Sequence, residues 1–235
     1  MTKAAKPDAK ARLPLTRKAV LDTALKIVDE AGLDALTIRA IARELGVYPN
    51  AVHWHVGSRT NLVGAVASRL FDEITLPDPR KHTWDEWLEV VARQWRDAMH
   101  QHPNIAMVAG THLVTTTGAM PIVERILSVL LDAGFEDESL VDAYNAFVGF
   151  VLGWLTVELS REPENADRGW KDEFEEDLDQ LDPNTFPALT SAMPRMRNAA
   201  FLTRWDSGRQ QPMAGAFDAA LTVLISGLRA SVPKR

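Results

Sequence analysis

Apolar residues recur at intervals of three and four along nearly all of this 235-residue chain, with no run of strict alternation, and that period predicts an all-α fold. Leu21, Leu25 and Val28 mark a first helix, with Thr16 placed to cap it and Gly32 to stop it. Ile38, Ile41, Ala42 and Leu45 form the stripe of a short second helix between a Thr37 cap and a Gly46 stop. Only Val47 and Tyr48 then precede Pro49, which fits the first turn of a third helix. A longer helix followed by two short ones across a tight glycine turn is the helix-turn-helix pattern. Ser58 caps a fourth helix predicted over 59–76, closed by Pro77 and Pro79.

Further on, Thr83-Trp84-Asp85-Glu86 has the spacing of a capping box, and Trp84, Trp87, Leu88, Val91, Trp95, Ala98 and Met99 follow as one broad apolar stripe. Helices are predicted over 103–112, 119–133, 139–161, 194–205 and 212–230. The acidic run GWKDEFEEDLDQLDP reads as loop, with a weak amphipathic turn or two around Phe174, Leu178 and Leu181. The expected organisation is a mobile tail over 1–14, a helix-turn-helix domain over 15–62 and a larger helical domain over 63–235.

Charge sharpens that division. Residues 1–63 carry ten Lys or Arg against six Asp or Glu, a local +4, while the remainder carries 16 against 26, a local −10. A cationic region on an otherwise acidic protein suggests a polyanionic partner at that end alone. The absence of cysteine excludes disulfides, thiolate nucleophiles and cysteine-ligated zinc. No apolar run follows the charged opening MTKAAKPDAKARLPL, and the uncharged apolar stretch 143–157 is shorter than the ~18–20 residues of a membrane span. A soluble, cytoplasmic protein is expected.

The stretch VYPNAVHWHVGS places two histidines around a tryptophan. On a helix each residue turns roughly 100°, so His53 and His55 point apart and cannot share a metal ion. One face carries His53 and Trp54 outward, and the other carries Val52, His55 and Val56 inward. A helix that enters the major groove needs polar or short exposed side chains and nearby phosphate donors. Tyr48, Pro49, Asn50 and His53 supply the first, and Thr37, Arg39 and Arg59 stand at neighbouring helix starts.

The run LTRKAVLDTALKIVDEAGLDALTIRAIARELGVYPNAVHWHVGSRTNLVGAV resembles the DNA-binding domain of the tetracycline repressor (TetR) family. The likeness rests on the Gly32 stop, the Leu36-Thr37-Ile38-Arg39 start, the Leu45-Gly46-Val47 turn, the Trp54-His55-Val56 close and the capped fourth helix. The remainder is similar, more loosely, to the ligand-binding half of the tetracycline-repressor branch, through Trp84, His102, Gly134-Phe135 and the acidic loop before Phe186-Pro187. The resemblance implies a homodimer whose two third helices read a palindromic operator in double-stranded DNA, and whose larger domain binds a small-molecule inducer. Arg39, Pro49 and Asn50 match DNA-contacting positions, His53, Trp54 and His55 match central contact and packing positions, and Arg59 matches a phosphate contact. Tyr48 replaces a common serine cap and His53 a common tyrosine, so the operator sequence is not carried over.

Tetracycline repressors place an asparagine and a magnesium-coordinating histidine at the positions matching Val91 and Ala109. Apolar side chains cannot bind a hard cation, so a magnesium–tetracycline ligand is not expected. The expected lining is apolar and aromatic: Val91, Trp95, Met99, Met107, Phe147, Val151 and Trp154, with His102 and His112 as polar anchors. Gly149 and Gly153 permit close helix approach, either within one subunit or, with Leu221, Leu224, Ile225 and Leu228 of the last helix, across the family's four-helix dimer interface. The acidic stretch 162–183 either flanks the pocket entrance or is a solvated charge run. The expected function is a ligand-responsive repressor without catalytic residues, cofactor or metal. An activator of the same fold remains open, as does an enzyme with a DNA-binding head, for which Glu158 or His112 is a candidate acid or base without a visible partner.

Overall fold

A computed structural model describes residues 14–111, 117–163, 167 and 169–233; within them the chain forms eleven α-helices and no strand. The tail expected over 1–14 lies outside the described residues except for Pro14. Helix α1 spans Arg17–Ala31, capped by the Ala19 N–H donating to Thr16 Oγ1 at 3.1 Å and stopped at Gly32, whose φ of 79° suits glycine. Helix α2, Ile38–Leu45, starts the same way on Thr37 and ends on left-handed Gly46, with the Val47 N–H donating back to the Ala42 carbonyl at 2.9 Å. Helix α3, Pro49–Val56, has proline in its first turn, and α4, Arg59–Arg69, is capped by Ser58. Val20, Val28, Leu36, Ile41, Val52 and Leu62 are fully buried and form the core of this head.

Helix α4 is shorter than predicted. After Arg69 the chain tightens into a 3-10 turn over Leu70–Glu73 and then extends at Ile74. Arg69 pairs with Asp72 three residues on, the spacing that a 3-10 turn brings into register, and with Asp22 of α1 at 2.6 Å. Phe71 thereby meets Trp95 edge-on, ring centroids 5.2 Å apart. The boundary expected at residues 62 and 63 falls inside this continuous helix, so α4 belongs to head and body alike.

The body is organised around α5, Trp84–Gln101, which opens on the predicted Thr83–Glu86 capping box and packs against α6, Pro103–Thr111, α7, Met120–Ala133, α8, Asp137–Glu158, and α11, Ala214–Ser231. The segment between α8 and α11 departs most from expectation. The acidic run is a continuous helix, α9, Trp170–Asp179, held by Arg197 to Glu175 at 2.7 Å and to Asp179, and by Lys171 to Glu162 and Asp206. Helix α10 is Pro187–Met196, and the helix predicted over 194–205 does not form. Asn198 is the reason: its Oδ1 accepts the Trp205 and Asp206 N–H groups at 3.1 Å each, and its own φ of 50° turns the chain.

Glu158, fully buried at the end of α8, fastens that segment to the body. Arg96 Nε and Nη2 donate to it at 3.1 and 2.5 Å, Trp154 Nε1 at 3.1 Å and the Met213 N–H at 2.8 Å, while His100 Nε2 stands 3.2 Å away outside good hydrogen-bond direction. Burial alone would raise the carboxyl pKa, but the His100, Arg96 and Met213 contacts and the Arg96 charge overcome it and hold the group at about 2, well below its ordinary 4.5. The residue considered in the sequence as a partnerless acid or base thus has four donors.

Candidate nucleic-acid interface and ligand cavity

Val52 and Val56, 0% and 5% exposed, anchor α3 to the head, which fixes the opposite face of that helix toward solvent. Asn50, His53 and Trp54 share this outer face at spacings of three and four, and His55 is half-buried on the other side. Trp54 is 89% exposed and Tyr48, at the helix cap, 86%. Two large aromatic side chains so exposed on a small head mark a contact surface. Thr37 spends its hydroxyl oxygen capping α2, while Arg39, Pro49 and Arg59 are exposed nearby. Arg17, Arg39, Arg43 and Arg59 have no carboxylate partner among the described residues, so these four positive charges of the head stand unneutralised.

Below the head lies a cavity of about 560 Å³, within the range typical of small-molecule sites. One stripe of α4 forms its wall: Arg59, Thr60, Val63, Gly64, Ala67 and Ser68, continued by Phe71. Ile122, Val123 and Ile126 of α7 face it, with Tyr144, Val148 and Leu152 of α8 spaced one turn apart. Trp95 and Val108 complete it from α5 and α6, and Leu33 brings the head itself into the wall. Burial raises the Tyr144 phenol above its usual pKa, so it stays neutral.

Of the pocket residues expected from the sequence, Trp95 alone lines this cavity among the described residues. Val91, Met99, Phe147 and Val151 are at most 1% exposed and belong to the solid core. Helix α8 is apolar on several faces, and its Tyr144–Val148–Leu152 row, not the Phe147–Val151 row, meets the space left by α4. Trp154 is taken up by Phe150, Phe201 and Phe217 and by Glu158. Met107 lines a smaller hollow of about 270 Å³ with Asn104 and Arg161. His112 and the Ala109 side chain lie outside the described residues.

His102 ties the head to the body. Its Nδ1 faces Asp29 of α1 at 2.8 Å and its Nε2 faces Glu73 at 3.3 Å, while Asn104 donates to the last α1 carbonyls of Val28 and Asp29 at 2.9 and 3.2 Å. None of the acidic stretch 162–183 lines the cavity among the described residues. The α4 wall was missed because its small residues, Gly64, Ala67 and Ser68, carry no strong apolar signal; their smallness is what leaves the space.

Known proteins agree with this geometry. The family described as "Bacterial regulatory proteins, tetR family" matches residues 20–66, and "Tetracyclin repressor-like, C-terminal domain" matches residues 76–232. The class C tetracycline repressor of Escherichia coli is 29% identical over 220 residues, covering 91% of this chain and 90% of its own. An HTH-type transcriptional regulator of Saccharopolyspora erythraea is 24% identical over 202 residues, covering 86% and 84%. Among solved structures, apo ActR of Streptomyces coelicolor superposes with a TM-score of 0.75 at 27% identity, over 94% of this chain and 98% of that one. ActR in complex with actinorhodin gives 0.75 at 25% over the same shares. With a helix-turn-helix head, a cavity-bearing helical body and both family regions matched in order, the chain belongs to the TetR family of bacterial transcription regulators.

Proposed function

We propose that this chain is a ligand-responsive transcriptional repressor, acting in the cytoplasm as a homodimer that holds a palindromic operator and releases it when a small, largely apolar or aromatic molecule fills the cavity. The observation that carries this reading is α4: its capped start follows α3 by two residues, and one of its faces walls the cavity to its end. A ligand that prefers one placement of α4 must shift the head, with a coupling of about 1–3 kcal/mol typical of such linkage. Relatives bearing the name repressor favour release over activation.

The outer faces of α8 and α11 support pairing. Val141, Val157 and Val223 are exposed there, and a Cβ added at Gly149, Gly153, Gly215 or Gly227 meets nothing within 4 Å. These glycines therefore do not serve packing within one subunit. Helix α8 is long and apolar enough to cross a membrane by composition, and a second copy on its outer face accounts for that composition without a bilayer.

Titration with DNA from upstream of the gene at several salt concentrations tests the reading; affinity indifferent to sequence or to salt sinks it. Arg59→Ala is expected to weaken all sequences alike and to reduce the salt slope by about 1, as loss of one phosphate contact does. Asn50→Ala should instead reorder operator variants, by about 1–3 kcal/mol at the base it reads. Uniform weakening by Asn50→Ala would remove that residue from base reading.

A further inference from the structure

Among the described residues the cavity wall contains no carboxylate: its polar members are Arg59, Thr60, Ser68, Trp95 and Tyr144. Arg59 is thus the sole formal charge in the described wall. Its one hydrogen bond is a long 3.4 Å contact from Nη2 to the Leu33 carbonyl, and it has no anionic partner among the described residues. Arg59 is itself exposed, so solvent partly screens its charge, but the apolar wall beside it strengthens its pull on an anion over that of a cation in open water. At the other end of the α4 stripe, Phe71 lies twelve residues on, ~18 Å at 1.5 Å per residue. There it rests on Trp95, which is 3% exposed and whose Nε1 is buried without an acceptor.

We propose that the cavity takes an elongated, aromatic-bodied anion, its carboxylate or sulfonate on Arg59 and its rings along Val63, Ala67 and Val148 toward Phe71 and Trp95. This rests on reading the cavity as the ligand site, and deepens it by naming the ligand's charge and its orientation. The charge requirement separates this class from neutral hydrophobes of the same size, which the apolar wall alone would accept equally.

Two fluorescent dyes that differ by one sulfonate test it on the full chain without DNA: 1-anilinonaphthalene-8-sulfonate and its neutral parent N-phenyl-1-naphthylamine. The wild type is expected to bind the sulfonate at least about tenfold more tightly than the neutral dye. Arg59→Gln should lose about that factor for the sulfonate and change the neutral dye by less than about twofold, while Arg59→Lys keeps most of the preference. Val148→Trp, with helicity checked by circular dichroism, should fill the space and abolish both. If the wild type shows no preference, or Arg59→Gln spares the sulfonate, the anion assignment is overturned and the cavity reading stands. If neither dye binds the wild type, or Val148→Trp leaves both bound, the cavity reading falls and the assignment with it.

Discussion

Glu158→Ala is expected to lower stability by about 3–5 kcal/mol, because it leaves Arg96 buried without its partner. For a chain of this size that loss corresponds to a fall in Tm of roughly 6–20 °C. The Trp154 Nε1 and Met213 N–H lose their acceptor at the same time, so the link from α8 to the start of α11 loosens as well. Replacing both ions together, Arg96→Met with Glu158→Leu, should recover much of the loss, since the pair's desolvation cost disappears with its attraction. A thermal melt of Glu158→Ala within a degree or two of wild type would show the cluster to be dispensable. The pH dependence has a definite sign. The folded-state pKa of about 2 lies below the ordinary 4.5, so the contribution is complete above pH 4.5 and drains away as the pH falls toward 2. A gap of that size corresponds to on the order of 3 kcal/mol.

Glu replacing both Gly149 and Gly153 is expected to yield a folded monomer that has lost most operator affinity. A Cβ added at either position meets nothing within 4 Å beyond its own helix turn, so the new side chains cost the fold little, and glycine is the poorer helix former. Across a two-fold interface the same change places four carboxylates in one apolar seam. Two linked heads bind as one unit, and separating them removes an avidity of about 10²–10⁴. Sedimentation should show the monomer, and operator titration the loss. A variant that still sediments as a dimer would move the interface away from α8.

The sequence revealed the helix caps and stops of the head, which are decided by hydrogen bonds within a turn. Thr16, Thr37 and Ser58 cap where expected, Gly32 and Gly46 stop their helices, and the outward set on α3 follows from burial of Val52 and Val56. What depends on distant partners was not legible. Arg96 and Glu158 are 62 residues apart, and nothing around either announces the other. Asn198 looked like one polar residue in a helical pattern, yet its side chain takes the hydrogen bonds that build a loop. The cavity escaped for a related reason: a space is the absence of side chains, set by five helices at once, and large residues such as Met99 and Phe147 drew attention to the solid core beside it.

The six-residue stripe of α4 also limits how such a regulator can diversify. A substitution there that retunes ligand preference alters the rod that carries the head, so taste and response drift together. Positions on the opposite wall, such as Val123, Ile126 and Val148, are free of that constraint, and a lineage acquiring new effectors while keeping its operator should accumulate its changes on them first.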